Sequence, residues 1–188
     1  QQGLLAPLQF LPLIEDDVLA LRVGEWVVRT ALAQLAAWQA QGLSLGVSVN
    51  VGAQQLQDPG FVTFLRGALG AQPQVKPKNL QIEVLETSAL QDVVRATEVM
   101  AQCRALGVQF ALDDFGTGYS SLTYLKRLPV SELKIDQSFV RNMQDDPDDL
   151  SILLGVLDLA RSFNLQVIAE GVETMAHGHM LLQLGCER

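Results

Sequence analysis

The chain has 188 residues, 48% of them hydrophobic and 18% charged, with a formal net charge of −8. Its size and apolar content suit one globular domain, taken here as residues 1–188, and its acidity argues against duplex nucleic acid as a partner, because nothing neutralises phosphates in bulk. Cys103 and Cys186 lie far apart with no CxxC pair, which disfavours a disulfide framework or a zinc site and fits a reducing cytoplasm; no apolar run approaches the ~18–20 residues of a membrane span, and no signal peptide opens the chain, although a longer parent protein could still be tethered to a membrane.

In chain order, apolar spacing predicts a helix over Val18–Gln39, with Gly24 as a candidate break and with Trp26 and Trp38 packing against the core. A β-rich run covers Leu43–Val51. A helix over Phe61–Leu69 leads to a second strand, Leu80–Leu85. A helix over Gln91–Leu106, closed by Gly107, leads to a third strand, Val108–Leu112. Leu133–Ile135 reads as the fourth strand. The acids of Asp145–Asp149 read as a solvated loop and helix start before a helix over Leu150–Phe163. Leu165–Ala169 is the fifth strand and Thr174–Leu184 the last helix, with His177 and His179 expected on its surface.

Such alternation implies an α/β fold with a parallel sheet, though alternation alone does not separate a doubly wound sheet from a (β/α)₈ barrel. No G-x-G-x-x-G or P-loop opens the first helix, which weakens a nucleotide-binding Rossmann reading. Polar residues recur at the C-terminal ends of the strands: Asn50, then Glu83 and Glu86, then Asp113 and Asp114, then Lys134 and Asp136, then Glu170 and Glu173. Barrel enzymes assemble their sites in this way. Five strands are fewer than the eight of a full barrel, so the fold is expected to be incomplete at both ends of this chain.

The pair Asp113–Asp114 carries the most chemistry. Two adjacent carboxylates at the end of an apolar strand are costly unless a cation lies between them, and a divalent metal is the natural candidate. Asn50, Glu83, Asp113, Asp114 and Glu170 are all oxygen donors, which suits Mg²⁺ or Mn²⁺ rather than Zn²⁺. Two such ions ~3.5–4 Å apart would clamp a phosphodiester and activate a water, and a lysine with a carboxylate base would complete a hydrolytic set. Each residue also has an ordinary reading. Adjacent Asp residues often start a helix, Asn50 could simply form a turn, and Glu173 could open the last helix. Glu83 and Lys134 resist such readings, because both lie within β-like apolar runs where an unpartnered charge is expensive.

The blocks Phe10–Glu15, Val47–Asn50, Ile82–Leu90, Asp113–Leu122, Leu133–Asp136 and Ile168–Thr174 occur in an order that resembles the EAL family of cyclic di-GMP phosphodiesterases. The resemblance implies a modified, TIM-like (β/α)₈ barrel that binds two Mg²⁺ or Mn²⁺ ions and hydrolyses cyclic di-GMP to linear pGpG. It implies Asn50, Glu83 and Asp113 as ligands of one ion, with Asp113 bridging to a second beside Asp114 and Glu170. Lys134 matches the lysine that orients the attacking water, and Glu170 also matches the proposed general base. Glu86 matches the anchor of the loop after Asp114, and Glu173 a supporting acid. The resemblance further implies a homodimer coupled to that loop, and fusion to a sensory or diguanylate-cyclase-like domain. The Glu-Ala-Leu strand that names the family would precede Gln1, and the family's last strand would follow Arg188. Leu85 and Thr87 stand where the family usually has Thr and Ser, a change expected to tune the Glu86 anchor. A receptor that binds the nucleotide without cutting it, or an inert barrel fragment of an active parent, remain the alternatives.

Overall fold

The computed structural model describes residues 3, 5–14, 17–117 and 122–188. Two N-terminal helices of very different length open it, α1 (Pro7–Ile14) and α2 (Val18–Ala40). Five strands follow: β1 (Val47–Asn50), β2 (Leu80–Leu85), β3 (Gln109–Phe115), β4 (Glu132–Ile135) and β5 (Gln166–Ala169). Between β1 and β2 lie α3 (Ala53–Gln57) and α4 (Phe61–Gly70), and between β2 and β3 lie α5 (Glu86–Gln91) and α6 (Val93–Ala105). A single turn, α7 (Leu122–Leu125), precedes β4; α8 (Gln137–Asn142) and α9 (Pro147–Phe163) precede β5; α10 (Met175–Gln183) follows it.

All strand pairs are parallel, and their order in the sheet is their order in the chain. Because parallel crossovers are right-handed, a sheet that grows in one direction carries its helices on one face. A doubly wound sheet would reverse direction at a switch point. The order β1-β2-β3-β4-β5 is therefore that of a barrel wall, and it resolves the ambiguity left by alternation alone.

The two faces of that wall differ in chemistry. Val49, Leu80, Ile82, Val84, Phe110, Leu112, Leu133 and Ile135 are buried together with helix residues such as Leu32, Leu35, Leu56, Phe61, Leu65, Met100 and Leu157. Truncating a fully buried residue such as Leu32 to Ala would cost about 2–5 kcal/mol. Alternate strand positions are polar: Ser48, Gln81, Glu83, Asp113, Glu132 and Lys134. The lower of these join hands across the wall, with Ser48 Oγ donating to Gln81 Oε1 at 2.8 Å and Gln81 Nε2 donating to Glu132 Oε1 at 2.8 Å.

Several elements differ from expectation, each for a local reason. Gly24 does not break α2, which runs unbroken from its Asp17 cap, whose carboxylate accepts from Leu19 N at 2.8 Å. The glycine instead makes room for a neighbour: a Cβ there would lie 1.9 Å from Gln55 Oε1 on α3. The helix expected over Gln91–Leu106 is two helices. Asp92, at φ −143° and ψ 86°, ends α5 and caps α6 through its carboxylate, which accepts from Arg95 N at 3.0 Å. The first strand begins only at Val47, where β2 supplies its first partner, Leu80. Trp26 is exposed, whereas Trp38 packs against the core. His177 is buried rather than on the surface, in the first turn of α10 beneath the Thr174 cap, whereas His179 is exposed, as expected. As expected, a helix starts within the acidic run Asp145–Asp149, where Asp146 caps α9, and Gly107 follows α6 at φ +98°.

Candidate functional site

The strand ends converge because of one irregularity in β3. Leu112 pairs with Leu133 and Phe115 with Ile135, so Asp113 and Asp114 together oppose the single residue Lys134. This is a β-bulge, two residues facing one. In a regular strand adjacent side chains point to opposite faces. Here Asp114 takes a left-handed φ of 52°, uncommon for a residue with a side chain. The bulge brings both aspartates to one side of the wall, where Asp113, Asp114 and Glu170 each offer a carboxylate oxygen within 4.8 Å of the others. Three convergent hard oxygen donors can hold a divalent cation.

Lys134 sits among them. Its Nζ lies 3.0 Å from Glu83 Oε2, 2.9 Å from Asp113 Oδ1 and 2.7 Å from Glu170 Oε1. Glu83, Asp113 and Lys134 are buried. Burial alone would lower the Lys134 pKa, but hydrogen bonds to Glu170, Asp113 and Glu83 override it and hold the ammonium above its ordinary value. Asp114 behaves oppositely: burial, then the charges of Asp113 and Asp136, raise its carboxyl above the usual range. Asp136 is a participant that the sequence reading placed on the fourth strand without giving it a role. It caps α8, and although burial works against its charge, hydrogen bonds from the Ser138 hydroxyl and N–H hold it below its ordinary value. Its carboxylate also acts on Asp114 and helps hold that carboxyl above its usual range. Its position two residues after Lys134 at a strand end was the available signal.

The surroundings hold these groups in place. Glu86, 1% exposed, accepts from Gly116 N at 3.0 Å and so ties β2 to the turn after the bulge. Thr117 Oγ1 donates to Asp114 O at 2.8 Å, and Asp114 N donates to Asp113 Oδ1 at 3.1 Å. The rest of that loop motif, Gly118–Ser121, lies outside the described residues, as does Glu15 of the first block. Glu170 leaves β5 with its N–H on Ile135 O at 3.2 Å. Gly171 follows at φ +73°, and a Cβ there would meet Gln137 Cβ at 2.6 Å, so the close approach of this turn to α8 requires glycine. Glu173 points to α8, where Arg141 holds it through Nε at 3.0 Å and Nη2 at 2.5 Å. Asn50 is exposed at the end of β1, in register with Glu83. Leu85 is exposed at the end of β2, in register with Asp113, and it precedes α5 without capping it by a side chain.

A family model described as the EAL domain matches residues 1–188. The chain belongs to the EAL domain family. Among its relatives is the bifunctional diguanylate cyclase/cyclic di-GMP phosphodiesterase MucR of Pseudomonas aeruginosa, 43% identical over 187 residues, which cover 99% of this chain and 27% of MucR. Another is the cyclic di-GMP phosphodiesterase PdeR of Escherichia coli, 37% identical over 185 residues, covering 98% of this chain and 28% of PdeR. The chain thus spans less than a third of the length of these relatives. Among solved structures, the PaMucR phosphodiesterase in complex with c-di-GMP superposes with a TM-score of 0.93 at 43% identity, covering 99% of this chain and 75% of that one. Its EAL fold agrees with the barrel wall seen here. Among the described residues, no helix is long and apolar enough to cross a membrane.

Proposed function

We propose that this EAL domain hydrolyses one phosphodiester bond of cyclic di-GMP to give linear pGpG, with two Mg²⁺ or Mn²⁺ ions. The observation that carries the proposal is the bulge that gathers Asp113, Asp114 and Glu170 around Lys134, on a frame shared with a phosphodiesterase solved with c-di-GMP. The donor set is all oxygen, which fits both ions. When bound, the ions would neutralise the phosphoryl oxygens and activate a water.

In this reading Asn50, Glu83 and Asp113 would hold one ion, and Asp113, Asp114 and Glu170 would hold the other. Lys134 donates a hydrogen bond that orients the attacking water, and Glu170 takes its proton as general base. Glu86 keeps the turn after Asp114 in place through Gly116. Glu173 contributes indirectly, by fixing the β5–α10 turn to Arg141. The same reading takes residues 1–188 as one EAL unit. In the parent protein this unit is fused to a sensory or cyclase-like domain and dimerises near the loop after Asp114. Short coverage of MucR supports the fusion. The buried free thiols Cys103 and Cys186 fit a reducing cytoplasm.

The test is product analysis. The full-length protein, incubated with cyclic di-GMP and Mg²⁺ or Mn²⁺, is expected to yield pGpG, and a chelator to stop it. Tight nucleotide binding with no linear product under excess metal would assign the domain to a receptor role instead.

A further inference from the structure

A lysine ammonium has three N–H donors and no acceptor. Lys134 has three carboxylate partners at 2.7–3.0 Å, on three other strand ends: Glu83, Asp113 and Glu170. All three carboxylates lie within ion-pair distance of the ammonium, and Glu83 Oε2 accepts a hydrogen bond from it. Asp113 Oδ1 is held from two sides, paired with Lys134 Nζ at 2.9 Å and accepting from Asp114 N at 3.1 Å. These same carboxylates are the ones the proposed function assigns to the ions.

We infer that Lys134 is a resident counter-ion that competes with divalent metal for Glu83, Asp113 and Glu170, so that this lysine sets how tightly the site loads. The inference rests on the metal-dependent reading above. Its physical basis is simple. Glu83 and Asp113 are buried, and like charges gathered in a poorly solvated place must be neutralised. The ammonium supplies one positive charge in a fixed geometry. An incoming ion gains the carboxylates but must first break contacts the lysine already makes. The exchange also has a consequence for reactivity. Once a metal takes one of these oxygens, an N–H of Lys134 is released and can turn to a water or a phosphoryl oxygen. Loading the metal and freeing the donor are then one event, and a site without metal keeps its lysine occupied.

The experiment compares full-length wild type with Lys134→Gln and Lys134→Met. Lys134→Gln keeps two N–H donors, so it preserves hydrogen bonds while removing the charge. Mn²⁺ affinity is measured by calorimetry without nucleotide, and amide exchange is followed in chelator along β2, β3 and β4. The expected result is Mn²⁺ binding tightened by about tenfold or more in both variants, together with faster exchange of these strands in chelator. Tighter binding with unchanged exchange would show a lysine that merely repels metal from a distance, and would overturn the counter-ion role. Unchanged or weaker binding would overturn it too. Absence of Mn²⁺ binding in wild type and variants alike would instead remove the metal reading, and this inference with it. A measurement on wild type alone guards against misfolded variants. The ¹⁵N signal of the Lys134 ammonium is expected to shift when Mg²⁺ saturates the protein, and a signal unmoved at saturation would refute the competition.

Discussion

Glu86 offers the sharpest test of how the site is held together. Its carboxylate is 1% exposed and accepts from Gly116 N at 3.0 Å, two residues beyond Asp114. Replacing it with alanine removes a charged acceptor and strands a backbone donor. A hydrogen bond to a charged group contributes about 1.5–3 kcal/mol. For a domain of this size, each kcal/mol shifts Tm by roughly 2–4 °C, so Glu86→Ala should lower Tm by about 3–12 °C. The effect should reach the chemistry as well. Asp114 sits at φ 52°, a conformation a side-chain-bearing residue leaves when its surroundings relax. A bias of ~2 kcal/mol toward the relaxed turn corresponds to roughly a thirtyfold loss of the competent arrangement. Glu86→Gln keeps an uncharged acceptor and should lose less on both counts. Turnover of cyclic di-GMP and amide exchange at Gly116 in the full-length protein report the two effects. Wild-type turnover together with wild-type protection of the Gly116 amide in Glu86→Ala would refute the reasoning.

Three further outcomes follow from the same geometry. Leu85 stands at the uncapped start of α5, so Leu85→Thr should add a cap and stabilise by about 0.5–2 kcal/mol; a lower midpoint in denaturant would contradict this. Gly171→Ala forces a Cβ to within 2.6 Å of Gln137 Cβ and should cost about 2–3 kcal/mol while displacing Glu170, which denaturant titration and turnover would both register. Asp114 binds its proton more tightly in the folded, metal-free protein than an ordinary aspartate with a pKa of 3.8, so its stabilising contribution is complete below pH 3.8 and is lost as pH rises through the raised folded value. Stability in chelator should therefore decline over that window more steeply in wild type than in Asp114→Asn; parallel curves would show that Asp114 is not perturbed.

Much of the fold was legible because burial on the helix-facing side demands apolar runs. Leu80–Leu85 and Leu165–Ala169 read as strands on that ground, and the structure has strands there. Boundaries were less legible where a tertiary contact decides them. Gly24 reads locally as a weak point in a helix, and only the approach of Gln55 explains it. Asp92 reads as one more helical residue until its carboxylate is seen capping α6. The site was visible as a set of polar residues at strand ends, but not as a geometry. Nothing in the string Leu112-Asp113-Asp114-Phe115 announces a bulge, because a bulge is a mismatch with a partner strand. For the same reason the link from Asp136 to Asp114 was hidden, although both residues stood in view. The threefold engagement of Lys134 likewise depends on three other strands arriving at one point.

The central claim is that the carboxylates gathered by the β3 bulge support metal-dependent cleavage of cyclic di-GMP. Its most direct test is turnover by the full-length protein across a Mn²⁺ titration, wild type against Asp113→Asn. The account predicts pGpG formation that rises with Mn²⁺ in wild type and falls by several orders of magnitude in Asp113→Asn at every metal concentration. Equal turnover by the two proteins, or turnover in wild type that persists in chelator, would contradict it.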